Sequence, residues 1–487
     1  MTEHVDVLIV GAGLSGIGAA HHLQAAFPAK TYLILEARDA IGGTWDLFRY
    51  PGVRSDSDMF TLGYRFRPWT QARAIADGPS ILSYVRETAA DAGIDQHIRF
   101  GHRVTSASWS SATARWTVTA SHAGQVTSVT CSFLLMCSGY YRYDEGYRPQ
   151  FPGAAEFGGQ LADPQHWPAG LDYAGKQVVV IGSGATAVTI VPAMAQTAAH
   201  VTMLQRSPTY ILSLPAEDAI ATRLRRLLGA RRGYAVTRWK NVLVSTAIYQ
   251  LSQRRPRLVR RLIRKLALQQ LPAGYDVDTH FNPAYNPWDQ RLCLVPDGDL
   301  FTAIRDGRAS IVTDRIETFT KRGLRLESGR ELPADIVVTA TGLQLLAFGE
   351  AQLTVDDRPV RLPETMAYKG MMLSGVPNFA FTIGYTNASW TLKADLVSEF
   401  ACRLLGHMDA RGYDTCVPVV DPGVARQPLL DFAAGYVLRS IDQFPRAGSR
   451  APWRLGMSYL SDVITLRYGR ISDGTMRFSR RSAAAGT

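Results

Sequence analysis

The stretch from Val5 to Glu36 constrains this chain more than any other. Val5-Asp6-Val7-Leu8-Ile9-Val10 is an apolar run of strand length, and Gly11-Ala12-Gly13-Leu14-Ser15-Gly16 follows at once. Residues from Leu14 to about Phe27 read as a helix, and Thr31–Leu35 as the next strand, closed by Glu36. Together they make a parallel βαβ unit. The first glycine permits the tight turn, the second lets a pyrophosphate approach the backbone, and the third lets helix pack on strand. The helix start at Leu14 and Ser15 offers unpaired N–H groups to phosphate. Glu36 lies twenty residues after Gly16 at a strand end, where a carboxylate accepts from ribose hydroxyls.

The pattern recurs. Val178–Ile181 is a strand, Gly182-Ser183-Gly184-Ala185-Thr186-Ala187 a turn, and a helix runs to about Thr197 before the strand Val201–Leu204. Alanine at the third position is an accepted variant. Arg206 stands near where the ribose carboxylate would be, followed by Ser207. A guanidinium there suits a 2′-phosphate, which favours NADP over NAD. The expected fold is α/β, with two Rossmann-like dinucleotide-binding domains and a helical insertion in the second.

Four segments follow from this. Residues 1–145 are expected to begin the first domain, 146–172 to link, 173–332 to form the second domain with an insertion at 216–290, and 333–487 to complete the first. Strands are expected at Ile98–Val104, Ala114–Ala120, Val126–Cys131 and Phe133–Cys137, the last joining the sheet begun at Val5. Ile336–Thr339, running into Thr341 and Gly342, repeats that pattern and is read as rejoining the first sheet. Val104, Thr341 and Gly342, at strand ends, are further candidates for cofactor contact. Helices are expected at Ile81–Ala92 and Leu392–Met408, and a disordered tail from Ser479.

Charge is uneven. The formal net charge is +11, yet residues 223–265 hold fourteen Lys or Arg and no Asp or Glu, so the rest of the chain sits at −3. The basicity belongs to one element and does not indicate nucleic-acid binding. An anionic-membrane contact through 223–265 is one reading of that element. The favoured reading is a solvated helical face with a packed apolar stripe through Leu224, Leu227, Leu228, Leu258, Leu262, Ile263 and Leu266, because Gly229 and Pro256 interrupt a long amphipathic helix. Five scattered cysteines without metal-type spacing fit a reducing cytoplasm. No signal peptide is read at the start. Cys131 and Cys137, placed on separate strands, do not make a redox pair.

Two dinucleotide units suggest a flavin enzyme fed by a nicotinamide. Gly42-Gly43-Thr44-Trp45, then Arg49-Tyr50-Pro51-Gly52 and Asp56, resembles the flavin loop of type I Baeyer–Villiger monooxygenases. Phe157-x-Gly159-x-x-x-Asp163-x-x-x-Trp167-Pro168 resembles their signature segment, FxGxxxHxxxWP. The likeness runs from the first strand to the helix near Val397, and is closest to the mycobacterial thioamide-prodrug-activating subgroup through RYPGVRSDSDMFTLGYRFRPW, YNPWDQRLCLVP and GYTNASWTLKADLVSEF.

The resemblance implies FAD, NADPH and O₂, and conversion of ketones to esters or lactones through an anionic C4a-peroxyflavin, with sulfoxidation and thioamide oxidation beside it. It assigns the essential arginine to Arg291 and the aspartate that orients it to Asp56. Gly43, Thr44 and Trp45 would line the flavin; Trp390 and Tyr385 are left between pocket and core. Two departures matter. Asp163 occupies the signature histidine position, and His166 falls outside the register. Gln290 replaces the lysine that many members place before the arginine, leaving more of the 2′-phosphate to Arg206. Competing readings are a flavin N- or S-oxygenase and a non-catalytic, membrane-associated NADP-binding protein.

Overall fold

The computed structural model describes residues 2–290, 292–430 and 434–481. In the first sheet Glu3–Val10 lies between Tyr32–Leu35 and Gln125–Met136, parallel to both. Val7 and Ile9 enter one hydrophobic core, Leu8 and Val10 another. Burial on both faces is why this strand reads as an unbroken apolar run. The sheet continues through the antiparallel strands Arg115–His122 and Arg103–Ser110 to Gln352–Val355.

Two strand expectations change here. Val126–Cys131 and Phe133–Cys137 fall on one strand, Gln125–Met136, with Cys137 just past its end. Ser132 between them marks no break, because its neighbours pair straight through. Cys131 on this strand and Cys137 just beyond it are therefore kept far apart by six residues of extended chain at about 3.3 Å each. Ile98–Val104 is not one strand: Ile98–Arg99 pairs with Tyr32–Leu35, the chain turns at Gly101 (φ +68°), and a new strand starts at Arg103.

The second sheet is parallel throughout. Its order is Ala309–Thr313, His200–Gln205, Gln177–Ile181, Ile336–Thr339 and Gln160–Ala162. Ile336–Thr339 thus stays in the second sheet instead of rejoining the first, and the expected linker supplies an edge strand. The chain re-enters the first sheet at Gln352. Local sequence shows a buried strand but not its neighbours.

The insertion is helical, as expected: Ala219–Arg254, interrupted at Gly229 (φ +76°), and then Pro256–Leu268. Its packing is divided. Tyr234 and Val242 join the first domain's core, whereas Val259 and Ile263 pack with Tyr210 and Leu292. Arg238, 4% exposed, donates to the carbonyls of Phe60 (2.9 Å) and Gly63 (2.7 Å) and reaches Asp395 (3.4 Å). His22 lies 3.2 Å from the same carboxylate. The expected apolar stripe is not all packed: Ile263 is buried, but Leu227, Leu228, Leu258 and Leu262 are exposed.

The helix Trp390–Arg411 packs on Leu14–Ala26, behind the first glycine turn. Ser479, expected to start a disordered tail, ends a strand paired with Thr415; the tail from residue 482 lies outside the described residues.

Candidate active site

A cavity of ≈ 1210 Å³ runs from the first glycine turn to the second. Gly11, Gly13, Leu14 and Ser15 line it at one end, with Glu36, Val104, Gly43, Thr44 and Trp45 beside them. Asp56 also lines it, and Ala185 and Thr186 bring in the second turn. Trp390 and Tyr385 also face it, as do Trp288 and Leu292. Arg291, the expected catalytic residue, lies outside the described residues.

The first turn is shaped by contact. A Cβ on Gly11 (φ +103°) would come 2.6 Å from the Cys137 carbonyl oxygen, and one on Gly16 1.8 Å from that of Gly11. Gly16 faces the strand, not the cavity. Gly13 and Gly43 face each other closely: a Cβ on Gly13 would sit 3.7 Å from the Gly43 Cα. Glu36 is buried and accepts from the backbone N–H groups of Ala12 (2.6 Å) and Arg38 (2.9 Å). Burial pushes its carboxyl above the usual range, against the pull of those two donors. Thr44 Oγ1 pairs with the Tyr143 hydroxyl at 3.0 Å, and burial pushes that phenol up to about 12. The Trp390 indole N–H donates to Ser15 Oγ at 2.7 Å.

The second turn is more open. Gly182 (φ +134°) sits tightly against Ala340, and Ala187 is buried where helix meets strand. A Cβ on Gly184 would meet nothing within 4 Å. Ser183 Oγ donates to the Ser207 carbonyl (3.1 Å), tying turn to strand end, and Arg206 and Ser207 are exposed there. Thr341 Oγ1 donates to the Tyr147 carbonyl (2.7 Å), and the Gly342 carbonyl accepts from the Tyr147 N–H (3.1 Å). These two residues fasten the linker and do not line the cavity. Gln290 is half-buried beside Pro287 and also lies off it.

Several polar residues here escaped the sequence reading. Asp46 is buried among three guanidiniums, from Arg38 (2.6 Å), Arg86 (3.0 Å) and Arg49 (3.2 Å). Arg54 pairs with Asp299, fastening the loop before Asp56 to the second domain. Asp163 accepts from Arg148 at 2.7 Å and turns away from the cavity, whereas His166 lines it. The spacing of the signature segment made His166 look irrelevant; the turn between Asp163 and His166 reverses that.

These residues fit a flavin nucleotide in the first turn and a second nucleotide near the other. Gly13 and Gly43 stand in van der Waals contact, and the space above Gly184 is open. Two cavity residues, Trp288 and Asn387, keep a buried indole N–H and amide oxygen without partners among the described residues. Trp288 also holds φ +75°, a strained setting for a bulky side chain. Unpaired buried polar atoms in a cavity mark places where a ligand supplies the partner.

Residues 75–351 match the flavin-binding monooxygenase-like family, and residues 9–74 an NAD(P)-binding Rossmann-like domain. The chain is 60% identical to the FAD-containing monooxygenase EthA of Mycobacterium tuberculosis, over 100% of both chains. It is 47% identical to the probable FAD-binding monooxygenase AlmA of Acinetobacter baylyi, covering 99% of this chain and 97% of that one. Its fold is similar to that of an oxidised steroid monooxygenase bound to NADP, with a TM-score of 0.77, 23% identity and coverage of 98% and 100%. Full-length likeness to named monooxygenases removes the non-catalytic reading.

Proposed function

Since the chain belongs to the flavin-binding monooxygenase-like family, we propose that it is an FAD-dependent, NADPH- and O₂-consuming Baeyer–Villiger monooxygenase. It would convert a ketone to an ester or lactone, with NADP⁺ and water as the other products, and also oxidise thioethers and thioamides. The observation that carries this reading is the cavity joining both glycine turns to Asp56 and to Trp288 and Leu292.

The flavin, when bound, supplies the hydride acceptor and the site at which O₂ is activated. The chain does the rest. Glu36 accepts from the ribose of FAD, and the N–H groups at Leu14 and Ser15 meet its pyrophosphate. Thr44 and Trp45 border the ring. Ala185 and Thr186, at the start of the second helix, receive the NADPH pyrophosphate, and Arg206 its 2′-phosphate. The essential cation is Arg291, which stays charged when water is excluded and steadies negative charge on the reacting oxygen. Asp56 orients it. The partners are NADPH, O₂ and a small ketone, thioether or thioamide, with residues 223–265 in peripheral contact with a membrane.

The test is Arg291→Ala, assayed with a panel of linear, cyclic and aryl ketones. The variant should still take hydride from NADPH, seen as bleaching of the flavin band under nitrogen, and form no ester. Ester formation at the wild-type rate would falsify the assignment. Sulfoxide without ester from the wild type would turn the reading to an S-oxygenase.

A further inference from the structure

The turn at 286–289 holds a tryptophan where the backbone suits a glycine. Trp288 has φ +75°, a strained setting for a bulky side chain. Asp289 keeps the turn closed: its N–H donates to the Asn286 carbonyl and its carboxylate accepts from the Asn286 N–H, both at 3.1 Å. Strain of this kind persists where the surroundings over-determine it, and it gathers at functional sites. The surroundings here are largely apolar. The indole packs against the cluster of Tyr210, Val259, Ile263 and Leu292, and it meets Tyr249 edge-on with ring centroids 5.9 Å apart.

The ring is thus fixed, yet its nitrogen is not satisfied. The Trp288 indole N–H is buried and has no acceptor among the described residues. An indole nitrogen only donates, so the missing partner is an acceptor. Trp288 lines the cavity with Leu292 and Leu294. Other donors on the cavity wall are already committed. The Trp390 indole gives to Ser15, the Tyr385 hydroxyl to Asp462 (2.6 Å), the Asn241 amide to Asp58 (2.8 Å) and the Lys240 ammonium to Asp218 (2.6 Å).

We propose that the Trp288 N–H donates to the carbonyl oxygen of the ketone and is a catalytic donor in its oxygenation. The proposal deepens the ketone-oxygenating reading of the cavity and rests on it. When the carbonyl carbon takes up a fourth bond, the π pair moves onto the carbonyl oxygen, which turns negative. An N–H held there strengthens as that charge grows, and an apolar wall raises its worth. The charge collapses back as one carbon–carbon bond migrates to the transferred oxygen and the ester carbonyl forms. The indole keeps its proton throughout.

The test compares the FAD-loaded wild type with two variants. Trp288→Phe keeps a ring against Tyr249 and removes the N–H; Trp288→His keeps a ring N–H. A ketone and a thioether of similar shape are assayed side by side. A thioether has no carbonyl oxygen to turn negative, so the ratio of ester to sulfoxide turnover isolates the donor. That ratio should fall roughly tenfold to a hundredfold in Trp288→Phe, through kcat more than KM. Trp288→His should recover part of it. Without NADPH, the infrared carbonyl stretch of a bound isotope-labelled ketone should lie at lower frequency in the wild type than in Trp288→Phe. An unmoved ratio or an unmoved stretch overturns the proposal. Equal falls in the ratio for both variants, or loss of flavin from both, also overturn it and make Trp288 a packing residue. Sulfoxide without ester from the wild type would instead sink the ketone reading, and this donor with it.

Discussion

The two glycine turns share a spacing and differ in everything around it. The first is closed in: Glu36 is buried, Gly13 meets Gly43, and Tyr143 and Trp390 reach in from distant segments. The second is open: Gly184 faces space and Arg206 is exposed. A closed site suits a cofactor that stays through many turnovers, and an open one suits a cofactor that must leave each time. One fingerprint thus serves a resident and a visitor, and the surroundings decide which.

The largest effect should come from filling each turn in the same way. Gly13→Val places a branched side chain where a Cβ would already touch the Gly43 Cα at 3.7 Å, on the cavity wall that the flavin nucleotide would occupy. This variant should purify colourless and inactive. Gly184→Val meets no protein atom within 4 Å at its Cβ, so the fold should survive and the flavin remain. Its KM for NADPH should rise roughly tenfold to a hundredfold, the scale of overpacking at a contact. If both variants keep their yellow colour, the closed-versus-open contrast is wrong.

The insertion sharpens the contrast, because it follows the second turn in sequence yet anchors on the first domain. Arg238 and Asp395 are its buried link. Burial alone would raise the Asp395 carboxyl, but His22, Arg238 and the Arg65 N–H together hold it below the usual carboxylate range. A depressed carboxylate contributes stability that is intact above its unfolded value and fades as pH falls through the folded one. Asp395→Asn leaves Arg238 buried without its counter-charge, at a cost of about 3 kcal/mol near neutral pH. The midpoint of thermal flavin release should fall accordingly, and the gap to wild type should narrow only in the acid limb below about pH 4. An unchanged midpoint at pH 7 would mean that the insertion is not anchored there.

That link also shows what the sequence could and could not reveal. Both βαβ units were legible because buried parallel strands, glycine turns and helix starts are local signals. Trp390 and Tyr385 stayed undecided until the fold placed them on the cavity. Arg238 was invisible among thirteen other basic residues, since burial depends on what packs over a helix and not on its own sequence. The sheet joined by Ile336–Thr339 was misread for a related reason: an apolar strand announces that it is buried, not between which partners. His166 was set aside by counting along the chain, and a tight turn restores it to the cavity.

A smaller effect is expected at the open turn's arginine. Arg206→Ala removes a charge-assisted contact to the 2′-phosphate, a loss of about 1.5–3 kcal/mol. The KM for NADPH should rise roughly tenfold to a hundredfold, with that for NADH unmoved. Arg206 is exposed at its strand end whereas Gln290 is half-buried beside Pro287, so adding Gln290→Lys to this variant should recover little. A parallel rise for both nucleotides would mean that Arg206 supports the fold and does not read the phosphate.

The smallest effect concerns Asp163, where the signature histidine is missing. A bare carboxylate near the reacting centre would set a negative charge beside an oxygen that must itself turn negative, and NADPH would be wasted as peroxide. The structure tempers that expectation, since Asp163 turns to Arg148, an exposed guanidinium, and leaves the cavity to His166. An exposed pair of this kind is worth up to about 1 kcal/mol, so Asp163→His should barely change stability. Its peroxide leakage per NADPH should fall, by less than about fivefold, because the charge it removes is already paired. His166→Ala should alter leakage more, since that ring meets the cavity itself. Equal leakage in wild type and Asp163→His, with a marked change in His166→Ala, would move the signature's role in this chain three residues along, from position 163 to the imidazole that lines the cavity.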